Sequence, residues 1–98
     1  MIIVKCNKVE NCFEGDFIIN CIFDTAWTKG SIYALKALGQ LRYYDSFPKP
    51  MFQLISGNGI IVKGVQGLGE CKVIYNRKST DGERVMFMKS FSETIHIY

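Results

Sequence analysis

Residues 51–56 (MFQLIS) and 60–65 (IIVKGV) are two strand-length apolar runs, and only Gly57-Asn58-Gly59 separates them. So short a connection between two such runs makes an antiparallel hairpin the simplest solution. The Asn58-Gly59 pair points to a type I′ turn, whose two central residues both take positive φ. Pro48-Lys49-Pro50 stands just ahead as a connector, because proline cannot donate to a ladder and restricts the residue before it. Gly64, Gly67 and Gly69 come next and lead into a third run at 71–75 (CKVIY). Bulges or a tight bend in a curving sheet account for this glycine cluster.

The remainder of the chain is organised around that unit. Residues 2–6 suit a short strand, and in 17–23 Phe17, Ile19, Cys21 and Phe23 fall on one face at period two. Glu14-Gly15-Asp16 supplies turn residues between the two, so they pair as a hairpin. The period then changes to 3.6 over residues 25–38. Trp27, Ser31, Ala34, Leu35 and Leu38 share one helical face, and Lys29, Tyr33 and Lys36 the opposite one. Asp24 or Thr25 is the expected N-cap and Gly39 the expected C′ residue. Gly30 costs about 1 kcal/mol relative to alanine, which places the firm start near Thr28 or Ser31.

Residues 41–47 return to strand composition. The polar stretch 76–84 (NRKSTDGER), with Asp81-Gly82, reads as an exposed hairpin loop. Residues 85–91 read as a strand and 94–98 as a last short one. Up to Tyr75 the order is β-β-α-β-β-β-β, and with the short connections it indicates one α+β domain spanning residues 1–98. Its sheet is mostly antiparallel, curved or barrel-like, with one covering helix at about residues 25–38.

A half-exposed antiparallel sheet alternates apolar and polar residues, yet several of these strands are apolar on both faces. Ile18 and Ile22 oppose the Phe17 set, Met51 and Ile55 oppose Phe52 and Leu54, and Ile61 and Val65 oppose Ile60 and Val62. Met86 and Met88 oppose Val85 and Phe87 in the same way. One helix covers one face. The second face requires closure into a barrel, a sheet folding over, or another chain.

Functional chemistry is sparse. The net charge of +3 is spread over both halves: six basic and five acidic groups in residues 1–50, six and four in residues 51–98. No polybasic arm results. No signal-peptide core and no run of membrane-spanning length is present, so a cytoplasmic location is expected. In that compartment Cys6, Cys12, Cys21 and Cys71 read as reduced thiols used as small core hydrophobes, Cys12 being the best candidate for an exposed one. Their spacing lacks the close pairs of a zinc site, and no metal or other cofactor is indicated. His96 is the lone histidine, and a lone histidine is a poor general base unless a carboxylate orients it. The glycine cluster has neither a dinucleotide nor a P-loop spacing and precedes a strand, so it lacks a helix N-terminus for phosphate.

The sequence therefore favours a non-enzymatic interaction or accessory module. It would act through an apolar sheet face comprising Met51, Ile55, Ile61 and Val65, as a homodimer or as a subunit with a protein partner. A second reading is single-stranded nucleic-acid binding through Lys29, Tyr33, Lys36, Arg42 and Tyr44, where cations and stacking aromatics interleave. A third is a small ligand-binding protein or enzyme whose backbone approaches its ligand at Gly64, Gly67 and Gly69.

Overall fold

The structure, a computed structural model, describes residues 1–9 and 17–98. Both Cys12 and the Glu14-Gly15-Asp16 turn lie outside the described residues. The elements are β1 (Ile3–Lys8), β2 (Phe17–Phe23), α1 (Lys29–Ala34) running into a 3₁₀ turn (Leu35–Leu38), β3 (Gly39–Tyr44), β4 (Met51–Ser56), β5 (Ile61–Val65), β6 (Glu70–Tyr75) and α2 (Asp81–Ile95). The fold is α+β, and up to Tyr75 its order is the one expected from sequence.

All six strands belong to one sheet in the order β1-β2-β6-β5-β4-β3, with every neighbouring pair antiparallel. Strands β3 to β6 form a meander. The β1–β2 hairpin joins it through β2 against β6, with Phe17 opposite Tyr75 and Cys21 opposite Cys71. Between β2 and β3 the chain must cross three intervening strands, and α1 makes that crossing. The sheet is curled but not closed: β1 and β3 remain its two edges.

Trp27 lies at the centre of the core. Its ring meets Phe52 at 4.7 Å and Phe23 at 5.2 Å, both edge-on, and its indole N–H donates to the Glu70 carbonyl at 3.1 Å. Trp27 precedes the helix instead of lying on it. Its amide donates to the Leu68 carbonyl and its carbonyl accepts from the Gly67 amide, which holds residues 24–28 along the β5–β6 turn. The helix starts at Lys29, close to the firm start near Thr28 or Ser31 expected from Gly30, but its cap is Thr28 and not Asp24 or Thr25. The Thr28 hydroxyl accepts from the Ser31 amide, and the Ser31 hydroxyl accepts from the Thr28 amide in return. Gly39 opens β3 directly, in an extended conformation.

The central hairpin also differs in its turn. The Gly59 amide donates to the Ser56 carbonyl, and the Ser56 amide to the Ile60 carbonyl. This centres the turn on Gly57-Asn58 and leaves Gly59, at φ 79°, as the left-handed third loop residue. The result is a three-residue loop of the bulged kind instead of a two-residue type I′ turn.

The largest correction concerns the end of the chain. Residues 85–91 are not a strand, residues 94–98 do not add one, and 76–84 is not a hairpin loop. A second helix, α2, starts at Thr80 with a capping box: the Thr80 hydroxyl accepts from the Glu83 amide at 3.1 Å. The Glu83 carboxylate accepts from the Thr80 amide at 3.0 Å. Asp81 and Glu83 in the first turn suit the positive end of the helix. Phe87, Phe91 and Ile95, spaced four apart, are buried, whereas Val85 and Met86 are 69% and 71% exposed. Phe91 packs 6.2 Å from both Phe23 and Trp27, so α2 covers the same sheet face as the α1 segment.

Candidate functional site

Strand pairing converts the alternation of side chains into rows across the sheet. On the helix-covered face Phe23, Cys21, Cys71, Val73, Val62, Leu54 and Phe52 are buried. Gly64 faces the same way, and a Cβ placed there would meet the Phe52 ring at 2.6 Å, so the ring occupies the space a side chain would take. On the opposite face the register produces three rows, and neither helix covers them.

The first is apolar: Ile18 opposes Ile74, Ile74 opposes Ile61, and Ile61 opposes Ile55, all half-buried. The second is polar from edge to edge: Asn7, Asn20, Lys72, Lys63, Gln53 and Arg42, each opposite the next. The third is mixed, with Ile22 opposite Glu70, and Val65 opposite Met51, which opposes Tyr44. Met51 and Tyr44 are 43% and 40% exposed. A trough of about 360 Å³ runs over the centre, lined by Tyr44, Met51, Gln53, Lys63, Leu68 and Lys72 among others.

Lys63 and Lys72 sit directly opposite each other, an arrangement that repels in a sheet. Among the described residues the one ion pair joins Arg84 to Asp81 at 3.6 Å, so no described carboxylate forms an ion pair with the lysine row. Sheet pairing brings Met51, Ile55, Ile61 and Val65 together on this uncovered face, as cross-strand partners Met51–Val65 and Ile55–Ile61. The polar row between them escaped sequence reading. Its signal was Lys63 at the middle of β5, between Ile61 and Val65 of the same face, and Lys72 near the start of β6, between Glu70 and Ile74.

The other predicted sets fare differently. Lys29, Tyr33 and Lys36 do cluster, with the lysine nitrogens 5.8 and 4.7 Å from the Tyr33 ring centre, and that ring lies 5.3 Å from Tyr43. Tyr43 belongs to the helix-covered side, whereas Arg42 and Tyr44 point to the uncovered side, so the five residues do not form one surface. In the glycine loop the amides of Gln66, Gly67 and Leu68 already donate to Pro50, Trp27 and Val65, which leaves no cradle of free donors there. Gly67, at φ 90°, makes the turn, and Gly69 runs beside the Thr25 carbonyl. His96 caps the end of α2, and its side chain is exposed.

Three cysteines also form a row, on the helix-covered face at the β1 edge: Cys6 opposes Cys21, which opposes Cys71. The Cys6 and Cys21 sulfurs are 3.5 Å apart. Hydrogen bonding from Cys71, reinforced by Cys6, outweighs burial and lowers the Cys21 thiol to about 7. Burial, then the bond to Cys21, raises Cys6 to about 11, and Cys71 is raised further still. Among the described residues no group of three or more His, Cys, Asp or Glu side chains is arranged to hold a metal ion. No described helix is long and apolar enough to cross a membrane. No family model, curated protein or solved structure matches the chain.

Proposed function

We propose that this chain is a non-enzymatic interaction module that docks a partner protein on the uncovered face of its sheet. The observation that carries this reading is the in-register row Ile18, Ile74, Ile61 and Ile55, with Met51 and Val65 across the lysine row from it. Apolar rows left half-exposed on a sheet gain free energy when a partner removes them from water, about 25 cal/mol per Å². The lysine row selects among partners. Two copies meeting face to face would press Lys63 and Lys72 against their own counterparts, so a partner with acidic groups fits better than a second copy. Nucleic acid fits less well, because Tyr44 is the one aromatic that the described strands present on this face.

A neutral apolar dye combined with light scattering tests the reading, with Met51→Lys/Ile61→Lys as the comparison. A monomer that binds the dye, and loses it in the double variant, supports a face kept for a different partner. A dimer that the same variant splits would instead make the partner a second copy. A monomer that leaves the dye free removes the reading.

A further inference from the structure

The cysteine row carries an inference independent of the docking face. Cys6 and Cys21 occupy opposed positions on β1 and β2. The Val9 amide donates to the Ile18 carbonyl, and antiparallel ladders alternate wide and narrow pairs. Counting along the register from that bond places Cys6 and Cys21 at a non-hydrogen-bonded pair, where the Cα atoms approach to about 4.5 Å and the side chains lie closest. That separation falls inside the window of about 4.4–6.8 Å that a disulfide requires.

Cys21 and Cys71 differ. The Phe23 amide donates to the Gly69 carbonyl two positions away, which makes Cys21–Cys71 a hydrogen-bonded pair with more widely spaced side chains. Access differs too: Cys6 is exposed on an edge strand, whereas Cys21 is 0% exposed and Cys71 is buried.

We propose that Cys6 and Cys21 form a thiol–disulfide exchange site that takes a small-molecule disulfide. The Cys6 sulfur, as thiolate, attacks one sulfur of the small disulfide. That S–S bond breaks, a small thiolate leaves, and a mixed disulfide remains on Cys6. The Cys21 thiolate then attacks the Cys6 sulfur and expels the second small thiolate. Two protein thiols are oxidised to one cystine, the small disulfide is reduced to two thiols, and the protons lost by Cys6 and Cys21 end on those products. Cys71 is a positioning residue: its S–H supports the Cys21 thiolate and it stays reduced. Because the Cys21 sulfur lies 3.5 Å from that of Cys6, closure is intramolecular and outpaces the bimolecular first attack.

Incubation of the native chain with oxidised glutathione, followed by intact mass and mapping of joined peptides, tests this. The expected product has lost two hydrogens, joins the Cys6 and Cys21 peptides, and carries no lasting glutathione. Cys21→Ser should instead accumulate a glutathione adduct on Cys6, and Cys6→Ser, a change at an exposed edge position, should abolish the cystine. Failure of Cys21→Ser to fold leaves the mapping of wild type and Cys6→Ser to decide. A lasting adduct on wild-type Cys6, preferential joining of Cys6 to Cys12 or Cys71, or no reaction at all would overturn the proposal.

Discussion

The two faces of this sheet are built from the same strands and both carry rows of large aliphatic side chains, yet those rows end in different environments. On one, Val62, Val73 and Leu54 are fully buried beneath α2 and the α1 segment. On the other, Ile61, Ile74 and Ile55, their immediate neighbours in sequence, stay half-exposed beside a row of cations. Hydrophobicity does not separate the two groups. What separates them is where the chain goes after β2 and after β6, since both helices return to the same side. A β-branched residue on a strand states that something should cover it, and says nothing about whether this chain supplies the cover.

Substitutions can probe that asymmetry. The largest effect is expected from Trp27→Ala, which empties the centre of the covered face and should cost about 3–5 kcal/mol in urea unfolding. Gly64→Ala comes next. Its new methyl group would press on the Phe52 ring, itself against Trp27, for a loss of about 1–3 kcal/mol, so even the smallest added side chain is felt on this side. Thr80→Ala removes the hydroxyl that caps α2 and should cost about 1 kcal/mol, read as a lower midpoint with an unchanged denaturant slope. The smallest effect belongs to the uncovered face and carries the opposite sign. Lys63→Glu turns the Lys63–Lys72 repulsion into an attraction and should stabilise by about 0.2–1 kcal/mol. A large loss from Lys63→Glu would mean that the uncovered face is under constraints as tight as those of the covered one.

Much of this architecture was legible in the sequence because strands announce themselves by a period of two. The doubly apolar strands and the order of elements up to Tyr75, and the shared face of Met51, Ile55, Ile61 and Val65, follow from the pleat. Where reading failed, the deciding interaction was either ambiguous in period or remote. Val85, Met86, Phe87 and Met88 are consecutive apolar residues, which suit a strand as well as a helix. The local clue was Thr80 followed three positions later by Glu83, a capping box hidden by the turn-like Asp81-Gly82 between them. Trp27 fits helical spacing, but its backbone is claimed by Gly67 and Leu68, forty residues further on. The lysine row and the cysteine row need the β2–β6 and β5–β6 registers, and the first of these joins segments far apart in the chain.

That β2–β6 junction also bears on the order in which the molecule assembles. Ile55 and Ile61 meet across a loop of a few residues, whereas Cys21 and Cys71 meet across fifty. Chain-closure entropy makes the second contact about 2 kcal/mol harder to nucleate. The β1–β2 hairpin and the β3–β6 meander should therefore form early and dock late, with the β2–β6 seam as the slow step. Cys6 can reach Cys21 within its own hairpin before that seam exists, but Cys71 can reach Cys21 only afterwards. The thiolate that Cys71 stabilises on Cys21 is thus a reporter of completed folding, and its appearance in a refolding experiment should trail the formation of the strands that flank it.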